Sequence, residues 1–190
     1  TNTDGSLTGR APINQFNHVK KLADAAFRTV VTPNVDTIYS QAWMDLRAEP
    51  MIYVHPETDR FCNMQLLDAW TNTAALIDQP GVYAITTPEW QGTLPQGVTR
   101  VDVPTATVWA IVRTVLSGTE DLPNVYAIQE QMQLLPLSAY VQGGTYTAPQ
   151  GTYSPENEFV PVNKVLSMSP VEFFNTVNAL MQENKPAPDD

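Results

Sequence analysis

The segment from Thr37 to Leu46 alternates between two kinds of side chain, and this constrains the fold more than any other feature. Ile38, Ser40, Ala42, Met44 and Leu46 fall on one side; Thr37, Tyr39, Gln41, Trp43 and Asp45 fall on the other. A period of two belongs to a β-strand, whose side chains point alternately to opposite faces. One face is ready for a core, while the other carries two aromatics among polar groups. Such a strand needs partners at its edges. Further strand candidates follow at Met51–Val54, Phe61–Asp68, Gly81–Thr86 and Thr107–Leu116. Turn-forming sequences separate them: Ala48-Glu49-Pro50, Pro56-Glu57-Thr58-Asp59, Gln79-Pro80-Gly81 and Leu94-Pro95-Gln96-Gly97. The chain has 16 prolines against 9 glycines, which favours short elements joined by rigid loops over a long helical bundle. The expected fold is mainly β: an antiparallel β-sandwich or jelly-roll-like domain with peripheral helices.

Three segments have helical spacing. Ile13 to Ala26 places Ile13, Phe16, Val19, Lys20 and Ala23 at mixed helical intervals and predicts a short helix. Asp121 is placed to cap a helix running to about Leu135, with Leu122, Val125, Ile128 and Met132 on its apolar side. The third has the clearest local signature. Ser169 precedes Pro170, and Glu172 follows where a capping box requires it. Phe173, Phe174, Val177, Leu180 and Met181 then form an apolar stripe. Gly143 to Asn163 is rich in Gly, Pro, Tyr and Thr, and so long a loop in a compact domain is usually functional or a docking arm. The expected organisation is a flexible arm over 1–12 and one β-rich domain over 13–184, ending in a helix at about 169–184. Residues 185–190 would begin a linker.

Several classes of function are disfavoured. Ten basic residues against 20 acidic ones give a net charge of −10, and phosphate backbones require clustered Lys and Arg, so nucleic acid is not an expected partner. The longest apolar stretch, Ala106 to Leu116, is interrupted by Arg113 and is too short to span a bilayer. Cys62 is the only cysteine, so no intramolecular disulfide forms. In the strand-like run Arg60 to Leu67 it reads as a small buried hydrophobe. His18 and His55 are the only histidines, which excludes a multi-histidine zinc site within the chain. Each reads as a surface or hydrogen-bonded residue. Phosphate-loop, dinucleotide, zinc-protease, nucleophile-elbow and calcium-loop patterns are absent. No metal or cofactor is assigned.

Three polar constellations remain. In the first, Asn34, Asp36 and Thr37 can bond their own backbone and fix the entry to the Thr37 strand. On the functional reading, Asp36 and the outward Tyr39 and Trp43 face a ligand, since aromatic faces beside acids and amides suit sugars and other polar organic molecules. In the second, Asp68, Trp70 and Asn72 end a strand. Asp68 either closes an Asx turn or meets Asp36 across the sheet, as a carboxylate pair for acid–base work or a hard cation. The third is Trp109 with Arg113, four apart and so on one face of a strand. An Arg there needs a carboxylate, with Asp45 or Asp68 as candidates, or an anionic ligand. Candidate ligand-binding residues are thus Asn34, Thr37, Tyr39, Trp43, Trp70, Asn72 and Arg113, and candidate catalytic residues are Asp36 and Asp68.

The run TVVTPNVDTIYSQAWMDLRAEP, followed by DRFCNMQLLDAWTN, resembles the bacterial domain-of-unknown-function family numbered twelve-fifty-four. The stretches PTATVWAIVRT, QLLPLSAY and SPVEFFNTVNALMQENKPAPDD are similar to it as well, so the likeness extends from about Ala11 to the C-terminus. The resemblance implies a second, jelly-roll-like domain after this one, further residues upstream of Thr1, and export, which makes the protein periplasmic or secreted. Lys185 to Asp190 would enter the inter-domain linker. Relatives tend to carry a Gly- and Thr-rich turn with a basic residue after the Asp68–Asn72 block. Here Thr73 to Gly81 reads as a shorter turn without the base. Two functions follow as expectations. One is a non-catalytic module binding a small molecule or glycan near Tyr39, Trp43, Asp68 and Trp70. The alternative is a hydrolase whose site, with Asp36 and Asp68, is completed by the second domain. The Phe173–Met181 stripe either packs on its own sheet or docks that second domain, with homodimerisation as another way to cover it.

Overall fold

The computed structural model describes residues 9–28, 31–151 and 159–186 of the chain. In order, its strands are β1 (Asn17–His18), β2 (Thr37–Asp45), β3 (Met51–His55), β4 (Cys62–Leu67), β5 (Thr73–Ile77), β6 (Gly81–Thr86), β7 (Val98–Asp102) and β8 (Thr107–Val115). Helix α1 (Leu122–Gln131), strand β9 (Gln133–Pro136) and helices α2 (Leu137–Val141), α3 (Pro161–Ser167) and α4 (Pro170–Glu183) follow. A five-stranded sheet has the order β1-β2-β8-β4-β5, and a four-stranded sheet the order β7-β6-β3-β9. Neighbours are antiparallel except β6 and β7. The architecture is a mainly β, sandwich-like domain with peripheral helices.

The core lies between the sheets. Met44, Met64, Leu66, Val108 and Val112 of the first sheet cluster with Met51, Tyr53 and Ile85 of the second. Each is fully buried, and such a side chain stabilises the fold by about 1.5–3 kcal/mol relative to an exposed one. The two sheets differ on their outer sides. Ile52 and Ala84 of the four-stranded sheet are covered by Leu137, Tyr140 and Tyr146, so β3 is buried on both faces. By contrast β2 buries alternate residues only: Ile38, Ser40, Ala42 and Met44. The outer face of the five-stranded sheet is the open one.

Several sequence expectations are corrected. Ile13 to Ala26 is no helix. Its backbone pairs with the edge of β2, with Asn14 N donating to Trp43 O at 2.8 Å and Val19 N to Tyr39 O at 2.9 Å. Asn14 takes a left-handed φ of 65°, and its side chain accepts from Asp45 N at 2.8 Å. Edge pairing and the burial of Phe16 and Val19 outweigh the weak helical spacing. The Asp121 helix stops at Gln131, because Pro136 disfavours helix at Leu135 and the chain turns extended at Met132 to pair β9 with β3. Asp121 makes no side-chain cap. It instead accepts from Arg60 Nη1 at 2.5 Å and from Ser117 N at 3.0 Å. Thr73 to Gly81 is not only a turn, since Thr73–Ile77 forms β5. Within the expected loop from Gly143, α3 begins at Pro161. The rest of that loop over 152–158, the first eight residues of the arm and 187–190 lie outside the described residues.

The terminal helix forms as its signature requires. Ser169 Oγ accepts from Glu172 N at 3.2 Å, and Pro170 occupies the first turn. Its stripe does not pack on a sheet: Phe174 is 61% exposed and Leu180 48%. Its C-terminal end is anchored. Asn184 Oδ1 accepts from Thr107 N at 3.1 Å, and Asn184 O accepts from Trp70 Nε1 at 3.0 Å. No helix among the described residues is long and apolar enough to cross a membrane.

Candidate functional site

The register of the open sheet face assembles nine side chains into a grid. On β2, β8 and β4 the first row is Trp43, Trp109 and Leu67; the second is Gln41, Ile111 and Gln65; the third is Tyr39, Arg113 and Asn63. Neighbours in a row stand about 4.8 Å apart in the hydrogen-bonding direction, and rows are separated by two residues, roughly 6.6 Å. The patch therefore grades from apolar through amide to cationic over about 13 Å. None of the nine is acidic, in a chain with 20 acidic residues.

The first row is built on two indoles. Trp43 and Trp109 stack with centroids 5.6 Å apart and planes 6° from parallel. Trp43 is 48% exposed and presents its remaining surface to solvent. Trp109 Nε1 is buried without an acceptor among the described residues. Leaving such a donor unpaired costs about 1–3 kcal/mol. Beside Trp43 a cleft of about 240 Å³ is lined by Arg10, Asn17 and Gln41.

The third row holds Arg113 in one orientation. Its Nη1 donates to Gln65 Oε1 at 2.9 Å, and the guanidinium lies 5.7 Å from the Tyr39 ring centroid. Gln65 is itself fixed, donating from Nε2 to Thr73 Oγ1 at 2.7 Å. Pairing of Arg113 with Asp45 or Asp68 is overturned. Asp45 is held by Arg47 through bonds of 2.8 and 2.6 Å, and the hydrogen bond from that guanidinium holds its carboxyl below the usual range.

The other predicted residues shape the sheet's ends. Asn34 Oδ1 accepts from Asp36 N at 2.8 Å and Thr37 N at 3.2 Å, an Asx turn that leads into β2. Thr37 Oγ1 also accepts from Asn34 Nδ2. Asp68 is buried, its Oδ1 accepting from Trp70 N and Asn72 N at 2.9 Å each and its Oδ2 from Asn72 Nδ2 at 3.3 Å. This closes the β4–β5 turn, where Thr71 takes a φ of 70°. Asp36 and Asp68 do not meet. Asp36 O accepts from Leu116 N, while Asp68 follows Leu67, which lies opposite Trp109. From Leu116 to the level of Val108 is eight steps along β8, or about 26 Å. A carboxylate pair for acid–base work or a shared cation is thereby ruled out.

Gln41, Asn63, Gln65, Leu67, Trp109 and Ile111 complete the patch although the candidate set omits them. Alternation puts Gln41 on the outward side and spacing puts Trp109 on a face with Arg113, but only the register brings all six beside Trp43 and Arg113. Away from this face, a groove of about 760 Å³ is lined by Gln15, His18, Gln133, Thr145 and Tyr146, and no candidate residue reaches it. Both histidines are hydrogen-bonded: His18 Nδ1 lies 2.8 Å from Ser40 Oγ, and His55 Nδ1 2.9 Å from Tyr53 Oη. Cys62 is buried, and burial pushes its thiol up.

Fold and face together define a β-sandwich domain with one sheet face open and, on it, an aromatic nine-residue patch free of acids. The chain belongs to the family described as proteins of unknown function, DUF1254, whose model matches residues 13–136. Among solved structures it is similar to the VPA0106 protein from Vibrio parahaemolyticus, with a TM-score of 0.60 and 23% identity over 92% of this chain and 43% of that one. That likeness shows a shared fold. An uncharacterized protein from Burkholderia cenocepacia matches with a TM-score of 0.39 and 16% identity, over 63% of this chain and 35% of that one. The chain thus spans less than half the length of either structure. No curated protein matches it.

Proposed function

We propose that this domain is a binding module, and that it takes a polar organic molecule of the glycan class on the Trp43–Trp109–Tyr39–Arg113 face. The observation that carries the reading is the stacked indole pair on the uncovered side of the sheet, with Trp43 half exposed. Sugar rings have apolar faces that stack on indoles and hydroxyls that need amide and guanidinium partners. Gln41, Gln65 and Arg113 supply those within two rows of the indoles. The hydrolase alternative loses its geometry, since even an inverting carboxylate pair stands only about 6.5–9.5 Å apart. On the same reading the domain is one part of a longer, exported protein whose second domain covers the α4 stripe. The 43% coverage of the Vibrio chain supports that extra length.

The test is tryptophan fluorescence titrated with a panel of neutral and acidic trisaccharides, on the wild type and Trp43→Ala. At least one trisaccharide is expected to shift the emission of the wild type, and Trp43→Ala is expected to weaken its binding at least tenfold. Equal binding by Trp43→Ala moves the site elsewhere, and a silent panel refutes the reading.

A further inference from the structure

Resting on the binding reading above, we infer that the ligand is a carboxylate-bearing oligosaccharide lying lengthwise along β8, its acid on Arg113 and a ring face on the indoles. Three observations converge. First, Arg113 differs from the three arginines whose carboxylate partners are described. Arg47, Arg60 and Arg100 each bond a carboxylate, at 2.6, 2.5 and 2.8 Å. Arg113 bonds only an amide oxygen, through Nη1, and its Nε–Nη2 edge holds no protein acceptor among the described residues. That edge is the planar two-donor fork that matches a carboxylate.

Second, the fork is prepositioned. Gln65 fixes one nitrogen and the Tyr39 ring lies against the guanidinium. Gln65 is in turn clamped by Thr73. An anion therefore meets an arginine whose rotamer entropy is already spent, which raises affinity without a new contact. Third, the grid excludes competitors for that charge. Its nine residues carry one cation and no acid; of the two carboxylates that flank the grid along this strand, Asp45 is neutralised by Arg47, and Asp36, three residues before Tyr39, forms no ion pair with Arg113 among the described residues. In a chain of net charge −10 the patch is a local inversion of sign. The spacing then sets the shape. Arg113 and Trp109 are four residues apart on one strand, about 13 Å, farther than one sugar ring reaches. A chain of rings satisfies both ends, with its hydroxyls over Gln41 and Gln65 between them.

The test compares tri-galacturonate with its fully methyl-esterified form, which keeps shape and stacking but not charge, by calorimetry on the wild type, Arg113→Gln and Arg113→Lys. The acid is expected to bind roughly ten- to a hundredfold tighter than the ester, the range of a charge-assisted hydrogen bond. Arg113→Gln is expected to remove that difference, and Arg113→Lys to restore only part of it, because an ammonium lacks the fork. On the wild type alone, added salt should weaken the acid and leave the ester unchanged, which keeps the inference open to refutation if the variants fold poorly. Equal binding of acid and ester overturns the inference while the binding reading stands. So does binding of neutral trisaccharides at Trp43 with no response to either galacturonate. A silent response to every sugar overturns both.

Discussion

His18 makes the stability of this domain sensitive to acid in a way that can be calculated. It sits on β1, with Nδ1 2.8 Å from Ser40 Oγ and its ring 5.2 Å from Phe16. Burial first, and the Lys20 charge second, lower its pKa from 6.5 to about 4. The imidazole thus folds neutral, whereas in the unfolded chain it takes a proton below about pH 6.5. The unfolded state then binds more protons between the two values, so stability falls as pH drops through that window. The contribution is complete above pH 6.5 and lost toward pH 4. The shift from 6.5 to about 4, at 1.36 kcal/mol per unit, amounts to about 3 kcal/mol, an order-of-magnitude figure. The perturbation is His18→Asn, which keeps a polar partner for Ser40 but does not titrate. Thermal melts of both proteins from about pH 7.5 to about pH 4.5 cancel the carboxylates they share. The wild type is expected to lose roughly 6–12 °C more than the variant across that range, since 1 kcal/mol is worth about 2–4 °C at this size. Parallel curves would refute the claim that His18 is held neutral by its surroundings.

Other substitutions test the framework. Asp68→Ala strands the amides of Trp70 and Asn72 and should cost roughly 1–3 kcal/mol in urea melts; unchanged stability with lost sugar binding would return Asp68 to a functional role. Met64→Ala hollows the centre of the sandwich and should cost about 2–5 kcal/mol. A loss below about 1 kcal/mol would mean that the sheets do not pack as described. Ser169→Ala removes the cap on Glu172 N, worth about 1 kcal/mol to α4, and should speed amide exchange in that helix's first turn. Unaltered exchange there argues against the cap.

What the sequence revealed, and what it hid, follows from the range of the interactions involved. The α4 start was readable because a cap, a proline and a glutamate within four residues decide it locally. The strands β2, β3, β4, β6 and β8 were readable from alternation and turns. Ile13 to Ala26 misled because its apolar spacing is met equally by an edge segment that buries Phe16 and Val19, and only the neighbouring strand decides between them. The same holds for Arg113. Sequence spacing put it on a face with Trp109 but not beside Gln65, whose position 48 residues earlier in the chain matters only through the β4–β8 register.

Alternation nevertheless carries more than strand identity. A strand covered on both sides reads as Met51-Ile52-Tyr53-Val54-His55, nearly continuous in large and buried groups. A strand covered on one side reads as β2 does, with the burial of Ile38, Ser40, Ala42 and Met44 interleaved with the half-open Tyr39, Gln41 and Trp43. In a two-sheet domain with helices to spare, this contrast identifies the sheet whose outer side stays uncovered. Water does not select two tryptophans and a carboxylate-free arginine for such a side: it is indifferent to the arginine and opposes the indoles. Their presence on the open face, against an acidic background, is the physical reason for proposing a ligand there and not in the larger groove beside His18.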